Sequence, residues 1–380
     1  MIVQETLQKI LEAGVQAPSG SNSQPWRFEV SGAAGGGGAA VVVSVFMLPE
    51  KDHPVLNVNQ WGTLFATGAL LENISIAAAH YGFVANIIFF PRAENRNLVA
   101  EVSFAEKQGN GNSAGNGDLA PDLFDAIFKR ATNRKPYGTE KIDGAIRERL
   151  LGAPAEVGAY DVVLKLIDDR GQIETLAGAA SVNERIIFEN KKLHELFLRE
   201  VVWTEEEQRA RMSGLYLKTL ELAPPQESAL KMFRSWGVLR FMNVLMGAAR
   251  RIARDNAKVY AACSFYGGVL CEPTDIGMVR AGQVVERAWL AATAMGLSFH
   301  LQTGVNFLRV RLDAPEDAGG GEGGESLFSK KEADLIRGAY ETIANVFQTQ
   351  DHFCPAIFRI GYGGEPSARS PRKAPEVVFK

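Results

Sequence analysis

The sequence predicts an α+β protein, with mixed α/β as the alternative, assembled from two related halves. Three observations lead there. Helical periodicity, as in MIVQETLQKILEAG and GALLENISIAAAHYGF, is interleaved with short strand-like runs such as WRFEV, VVVSVF and LVAEVSF. Glycine-rich stretches at 32–40, 109–118 and 319–326 punctuate these runs. Residues 68–83 match 282–297 at a constant offset of 214, which holds for Gly68/Gly282, Glu72/Glu286, Ala77/Ala291, Ala78/Ala292 and Gly82/Gly296.

Each element follows in turn. The stretch 32–40 lies between two strand-like runs and reads as a loose hairpin connection. The stretch 109–118 follows LVAEVSF and reads as a flexible linker, dividing the chain into halves 1–108 and 119–380. The matched segments are both helices that end in a glycine suited to capping, with small residues on one face for close approach to a neighbour. A weaker echo joins EAGVQAPSGSNSQPWRFEV to LLGAPAEVGAYDVVLKLI: helix end, Ala-Pro, loop, strand, with the polar loop residues lost from the second copy.

Composition narrows the function. The chain has 380 residues, 46% hydrophobic and 22% charged, with a net charge of −3. That balance suits two globular domains or one of double size and argues against nucleic acid as a partner. Three scattered cysteines and no C-x-x-C pair give neither a disulfide framework nor a zinc site, and the five histidines form no ligand pair, so no metal is expected. The first residues read as an amphipathic helix with acidic positions rather than a secretory leader. No uninterrupted apolar stretch approaches the ~18 residues of a membrane span. A cytoplasmic protein without membrane contact is the expectation.

Three segments could carry chemistry. In 17–26, APSGSNSQPW, Pro18 and Gly20 set a turn, and Ser19, Ser21, Asn22 and Gln24 offer donors and acceptors for a flat polar heterocycle or a ribityl chain; a self-bonded turn is the alternative. In 129–137, KRATNRKPY, alternation puts Arg130, Thr132 and Arg134 on one side of an extended segment, two guanidiniums flanking a hydroxyl as an anion clamp; a solvated basic turn is the alternative. Near the end, Arg369 and Arg372 either add to that clamp or belong to a solvated tail. GNGNSAG lacks the spacing and the strand–turn–helix setting of a dinucleotide fingerprint, and neither a P-loop nor a G-x-S-x-G elbow is present.

These segments resemble a known family. APSGSNSQPWRF resembles the loop after the first core helix of nitroreductase-type FMN enzymes, and KRATNRKPY resembles their opening Arg-x-Ser/Thr-x-Arg/Lys segment. FRIGYG…RSPRKAPEVV is similar to their closing strand and basic arm, and AGQVVERAWLAATAMGL with SFHLQTG to their penultimate core helix and flavin-facing loop. The order departs from the ordinary family, because the APSG loop precedes the basic segment. The chain therefore resembles the fused tandem, Acg-type branch, in which one polypeptide is a pseudo-dimer of central mixed or antiparallel sheets flanked by helices.

The resemblance implies one FMN site shared by the halves. Pro18, Ser19, Gly20 and Asn22 would come from the first half. Arg130 and Thr132 would hold the phosphate and ribityl end with Arg369 or Arg372, and Arg134 would lie near the pyrimidine edge. Backbone N–H groups of Gln302, Thr303 and Gly304 would face the flavin N5 and O4. No catalytic side chain is implied, since the flavin carries the redox chemistry. The implied activity moves electrons from NAD(P)H to a small-molecule nitro compound, quinone or similar acceptor; the rivals are a non-catalytic flavin-sequestering protein and a relative that has lost the flavin. Pseudo-dimers could pair further. Residues 190–258 have no counterpart in the short enzymes. Their basic amphipathic part, 230–256, leaves three readings open: a helical cap, a lid over the flavin, or a helix on a membrane surface.

Overall fold

The structure is a computed structural model and describes residues 2–32, 41–53, 55–107, 120–315 and 327–380. The chain begins with α1 (Gln4–Gly14), β1 (Trp26–Ser31), β2 (Val42–Met47), α2 (Trp61–His80), β3 (Phe83–Phe89) and β4 (Leu98–Glu106). There follow α3 (Ala120–Lys129), α4 (Gly144–Leu151), α5 (Ala153–Glu156), β5 (Val163–Ile167), α6 (Arg170–Ala180), α7 (Val182–Glu189), α8 (Lys191–Glu200), β6 (Val201–Val202), α9 (Glu205–Arg211), β7 (Leu215–Tyr216), α10 (Pro224–Met232), α11 (Trp236–Met246) and α12 (Ala248–Ala261). The last elements are β8 (Phe265–Cys271), α13 (Asp275–Ala294), β9 (Ser298–Gln302), α14 (Gly304–Asp313), α15 (Lys330–Phe347), β10 (Phe353–Gly361) and β11 (Val377–Phe379).

The hydrophobic patterns explain the layers. In α1, Leu7, Ile10 and Leu11 share one face and are buried. In β1, alternate residues Trp26, Phe28 and Val30 turn into the core, as do Val43, Val45 and Met47 of β2. Helix α2 is apolar nearly all round and accordingly buried on nearly every side. With the turn before it, α2 is the one helix among the described residues long and apolar enough to cross a membrane, but its apolar surface is spent inside the protein.

Two main sheets result. The first has the order β11-β1-β2-β4-β3, antiparallel except for the parallel β11–β1 pair. The second, β5-β8-β10-β9, is antiparallel throughout. The order β1-β2-β4-β3 and the order β5-β8-β10-β9 are the same path, with α2 and α13 each inserted between the second and third strand of its set. Helix α13 begins and ends 214 positions after α2, and the two pack against each other at the centre of the main core. Beyond each, a glycine takes a positive φ, +83° at Gly82 and +75° at Gly296. The α+β class expected from the sequence is thus observed, with mixed and antiparallel sheets flanked by helices.

Two features position the site. First, the chain leaves β10 of the second sheet, crosses along the 17–24 loop and ends as β11 beside β1 of the first, where the Phe28 amide donates to the Glu376 carbonyl at 2.8 Å. Second, the helices between β5 and β8 run from α6 to α12, so the 190–258 segment falls inside a longer helical excursion. Part of it has its own small core of Phe188, Leu217, Leu230, Phe233, Leu239, Ala248 and Ala249. Of the expected hairpin connection at 32–40, residues 33–40 lie outside the described residues, as do the whole linker at 109–118 and the whole glycine-rich loop at 319–326; β1 and β2 do pair antiparallel, Ser31 opposite Val42.

Candidate functional site

The 17–26 segment joins α1 to β1 and is held in an unusual conformation. Ser21, Asn22 and Gln24 have φ of 45°, 55° and 52°, a region that non-glycine residues enter at a cost. Local bonds fix it: the Gln24 amide donates to Ser19 Oγ at 2.9 Å, and Gln24 Nε2 donates to the Asn22 carbonyl at 3.2 Å. Gln24 and Asn22 are buried, while Gly20 is exposed at the rim.

Two guanidiniums meet this loop. Arg130, just past α3, is buried; its Nη2 donates to the Gln16 carbonyl at 2.7 Å, and its Nε lies 3.2 Å from Glu286 of α13. Its guanidinium carbon sits 4.4 Å from the centre of the Trp289 ring, which stacks on Phe299, itself stacked on Phe358. Arg372, on the crossing arm, is partly buried; its Nε donates to the Ala17 carbonyl at 3.2 Å and its Nη1 to Asn22 Oδ1 at 2.7 Å. The arm is knitted down further: Asn22 Nδ2 donates to the Pro371 carbonyl at 3.0 Å and the Lys373 amide to Gln24 Oε1 at 2.7 Å.

The electrostatics of this pair are unbalanced. Burial lowers Arg372 to about 9, and the neighbouring Arg130 pushes the same way. Burial likewise lowers Arg130, against the pull of Glu286. Burial raises Glu286 despite Arg130 beside it. Two guanidiniums therefore share one reluctant carboxylate, and Arg372 bonds only carbonyl and amide oxygens. The arrangement therefore carries more buried positive than negative charge.

A second group of expected residues gathers nearby. Segment 130–134 runs beside the start of β9, with Thr132 bridged to Phe299 and the Asn133 amide donating to the Phe299 carbonyl at 3.0 Å. Arg134 donates to the Thr219 carbonyl at 2.9 Å; burial lowers it and Arg359 pushes the same way, against the pull of Tyr260, Tyr137 and Glu221. At the other end of β9, Gln302 Oε1 accepts from the Tyr266 hydroxyl, and α14 starts at Gly304 with no side-chain cap from Thr303, leaving a helix N-terminus with its partial positive charge. A Cβ on Gly304 would fall 2.2 Å from Asn183 Oδ1, so this turn is pressed against α7. Next to Asn183, burial lifts the Glu184 carboxyl to about 7 against hydrogen bonds from Asn183 and Tyr260.

The structure thus brings together Pro18, Ser19, Gly20, Asn22, Arg130 and Arg372, and sets Thr132, Arg134, Gln302, Thr303 and Gly304 along and beyond β9. Arg369 lies on the outer side of Arg130, which its charge pushes down: it is exposed and bonds the Lys129 carbonyl and Glu365, so of the two tail arginines it is Arg372 that bonds the loop. Sequence reasoning missed the partners. Glu286 and Trp289 lie in the repeat helix that the sequence did single out, but nothing in the sequence ties them to Arg130. A cavity of about 470 Å³ opens elsewhere, walled by residues such as Trp61, Arg309, Tyr340 and Phe353, and shares no residue with this site.

The helical excursion closes over the loop. Ser21 Oγ donates to Glu200 Oε2 at 2.5 Å, Gln24 Nε2 to the Met212 carbonyl at 2.7 Å, and Asn22 Nδ2 to the same carbonyl at 3.4 Å. Glu221 accepts from the Ser367 amide and hydroxyl, each at 2.6 Å, and Gln208 Nε2 donates to the Arg369 carbonyl at 3.1 Å.

Residues 1–35 match the nitroreductase family. An uncharacterized protein of Mycobacterium tuberculosis is 23% identical over 78% of this chain, which spans 38% of that protein's length. A putative NAD(P)H nitroreductase of the same organism is 24% identical over 77% of this chain and 75% of its own length. The putative NAD(P)H nitroreductase acg, also from M. tuberculosis, is 28% identical over 52% of this chain and 54% of its own. Among solved structures, the FMN-dependent nitroreductase NfnB from Mycobacterium smegmatis in complex with NADPH aligns with 67% of this chain and 96% of its own at 14% identity and a TM-score of 0.38.

Proposed function

We propose that this chain, which belongs to the nitroreductase-like superfamily, binds one FMN between its halves and passes electrons from NAD(P)H to a small-molecule acceptor of the nitro or quinone class. The observation that carries the reading is the convergence of Arg130 and Arg372 on the 17–22 loop with Glu286 the one carboxylate against them among the described residues.

In this reading the halves, 1–108 and 119–380, descend from one duplicated unit. The shared strand order, the 214-residue offset of α2 and α13 and their reciprocal packing support that descent. Arg130 and Arg372 would hold the phosphate, with Thr132 toward the ribityl end and Pro18, Ser19, Gly20 and Asn22 closing from the first half. Arg134 would stand at the pyrimidine edge. The amides of Gln302, Thr303 and Gly304, at the start of α14, would face the ring's reactive edge. Bound FMN supplies hydride and electron transfer; the chain binds it, orients it and excludes water. The NAD(P)H nitroreductase names of the mycobacterial relatives support the electron donor.

A second reading, flavin sequestration without turnover, is favoured by the hydrogen bonds that tie the helical excursion to Ser21, Asn22, Gln24 and Arg134. One experiment separates the two. Protein incubated with FMN and desalted shows an oxidised-flavin spectrum in both readings. NADPH bleaches it within seconds in the enzyme and slowly or not at all in a store. A colourless protein, or unchanged FMN affinity in the Arg130→Ala, Arg134→Ala double variant, overturns both.

A further inference from the structure

Helix α11 turns the wrong face outward for a protein surrounded only by water. Its inward residue Leu239 is fully buried in the small core of the helical excursion, with Trp236 and Met242 packed against it. On the outside, Val238, Phe241, Val244, Leu245 and Met246 are exposed by 36, 63, 83, 64 and 59%, and Met232 of α10 by 47%. Six of the large apolar side chains exposed among the described residues therefore crowd into fifteen consecutive positions, 232–246. Single exposed apolar residues are ordinary; a contiguous cluster marks a binding face.

The surroundings of that face say what it binds. Residues 230–258 contain seven basic side chains and one acidic, in a chain whose net charge is −3. Arg240 lies on α11 itself, and Arg250, Arg251 and Arg254 follow on α12; all four are exposed. Arg240, Arg251 and Arg254 have no carboxylate partner among the described residues, unlike Lys191, Arg209, Arg211 and Arg309, each paired with a carboxylate on its own helix. Helix α11 is 11 residues long, about 16 Å at 1.5 Å per residue, half of what a bilayer core requires. An apolar ridge edged with unpaired guanidiniums, too short to span, has the chemistry of a helix lying at an anionic lipid surface.

We propose that α11 and the start of α12 form a peripheral membrane-docking face, with Phe241, Val244, Leu245 and Met246 entering the acyl boundary of an anionic bilayer and Arg240, Arg251 and Arg254 meeting the headgroups. The expectation of no membrane contact rested on the lack of a spanning run and does not bear on a helix that lies flat. The face is independent of the flavin site, so the proposal stands or falls without it.

Flotation of the full chain with vesicles tests it. The chain floats with phosphatidylcholine vesicles containing phosphatidylglycerol, far less with phosphatidylcholine alone, and less as salt rises. Phe241→Asp with Leu245→Asp abolishes flotation, and Arg251→Gln with Arg254→Gln weakens it about thirtyfold, about fivefold per guanidinium withdrawn. All four side chains are exposed, so the variants keep the wild-type melting temperature. No flotation by the wild type, equal flotation with both lipids, or a Phe241→Asp, Leu245→Asp variant that floats unchanged overturns the proposal. So does a wild-type dimer in light scattering that the same variant converts to a monomer, since the face is then covered by a second copy.

Discussion

Gly68 of α2 and Gly282 of α13 each lie against the other helix's backbone. A Cβ on Gly68 would fall 1.9 Å from the Val279 carbonyl oxygen, and one on Gly282 would fall 1.9 Å from the Phe65 carbonyl oxygen. Phe65 and Val279 are themselves 214 positions apart, so the two contacts are one contact made twice about an approximate two-fold axis. The same axis relates Glu72, paired with Arg287 at 2.5 Å, to Glu286, which faces Arg130 instead. Position 73 is Asn where position 287 is Arg, so Glu286 has no counterpart of Arg287 beside it and faces Arg130. The central helix pair is thus both the scaffold and the source of the site's asymmetry.

That contact predicts large, matched costs. Gly68→Ala and Gly282→Ala must each push the helices apart or bend them, and each lowers stability by about 3 kcal/mol. Gly178→Ala, on the exposed face of the last turn of α6 with nothing near its Cβ, raises stability by up to about 1 kcal/mol. Urea denaturation of the three variants checks this; near-wild-type stability in either core variant contradicts the close approach.

Arg372 and Arg369 are three residues apart, and only the first faces the loop. Arg372→Ala weakens FMN binding about 10- to 100-fold, as expected for loss of a charge-assisted contact to phosphate. Arg369→Ala, which removes bonds to the Lys129 carbonyl and Glu365, changes it less than about threefold. Fluorescence titration with FMN distinguishes them, and equal losses would mean that the arm's general charge, not Arg372's placement, matters.

Glu200 ties α8 to the loop through Ser21. Burial raises its carboxyl, and nearby Asp52 raises it further, so the bond to Ser21 adds little net stability. Glu200→Ala leaves the melting temperature within a few degrees of wild type and speeds NADPH bleaching of bound FMN about fivefold, the equivalent of one ordinary hydrogen bond. Stopped-flow absorbance reads this directly. An unchanged rate means that the excursion does not gate access.

How much of this was legible beforehand depends on which atoms make the contacts. The matched helices were visible because their close approach demands glycine and alanine at fixed spacing, and side-chain type records that demand. The 17–26 and 129–137 segments were visible because turn and charge chemistry concentrate there. Arg130's partner was invisible, since Glu286 and Trp289 meet it only through the fold. The closure by Met212 and Thr219 was equally hidden, because backbone carbonyls do the accepting and any residue has one. For α11, periodicity gave an apolar stripe but not its direction; Leu239 inward and Val244 outward are set by the packing of the excursion's own core.

Glu184 gives the pH prediction. Its carboxyl is raised from its ordinary 4.5 to about 7 by burial beside Asn183 and the Gly304 turn, and its Oε2 is a buried acceptor without a hydrogen bond. A raised carboxyl favours the folded state in its protonated form. Its contribution is therefore whole below about pH 4.5, falls as the unfolded chain ionises first, and is gone once pH passes about 7. Glu184→Gln keeps the shape and removes the titration. The variant's stability relative to wild type thus rises with pH between these limits and levels off above them, by about 2 kcal/mol allowing for the side chain's partial exposure. Melting temperatures of both proteins from pH 4 to 8 trace the difference. A flat difference across that range means that Glu184 ionises in the folded protein as it does in water, and that water reaches the turn where α14 begins.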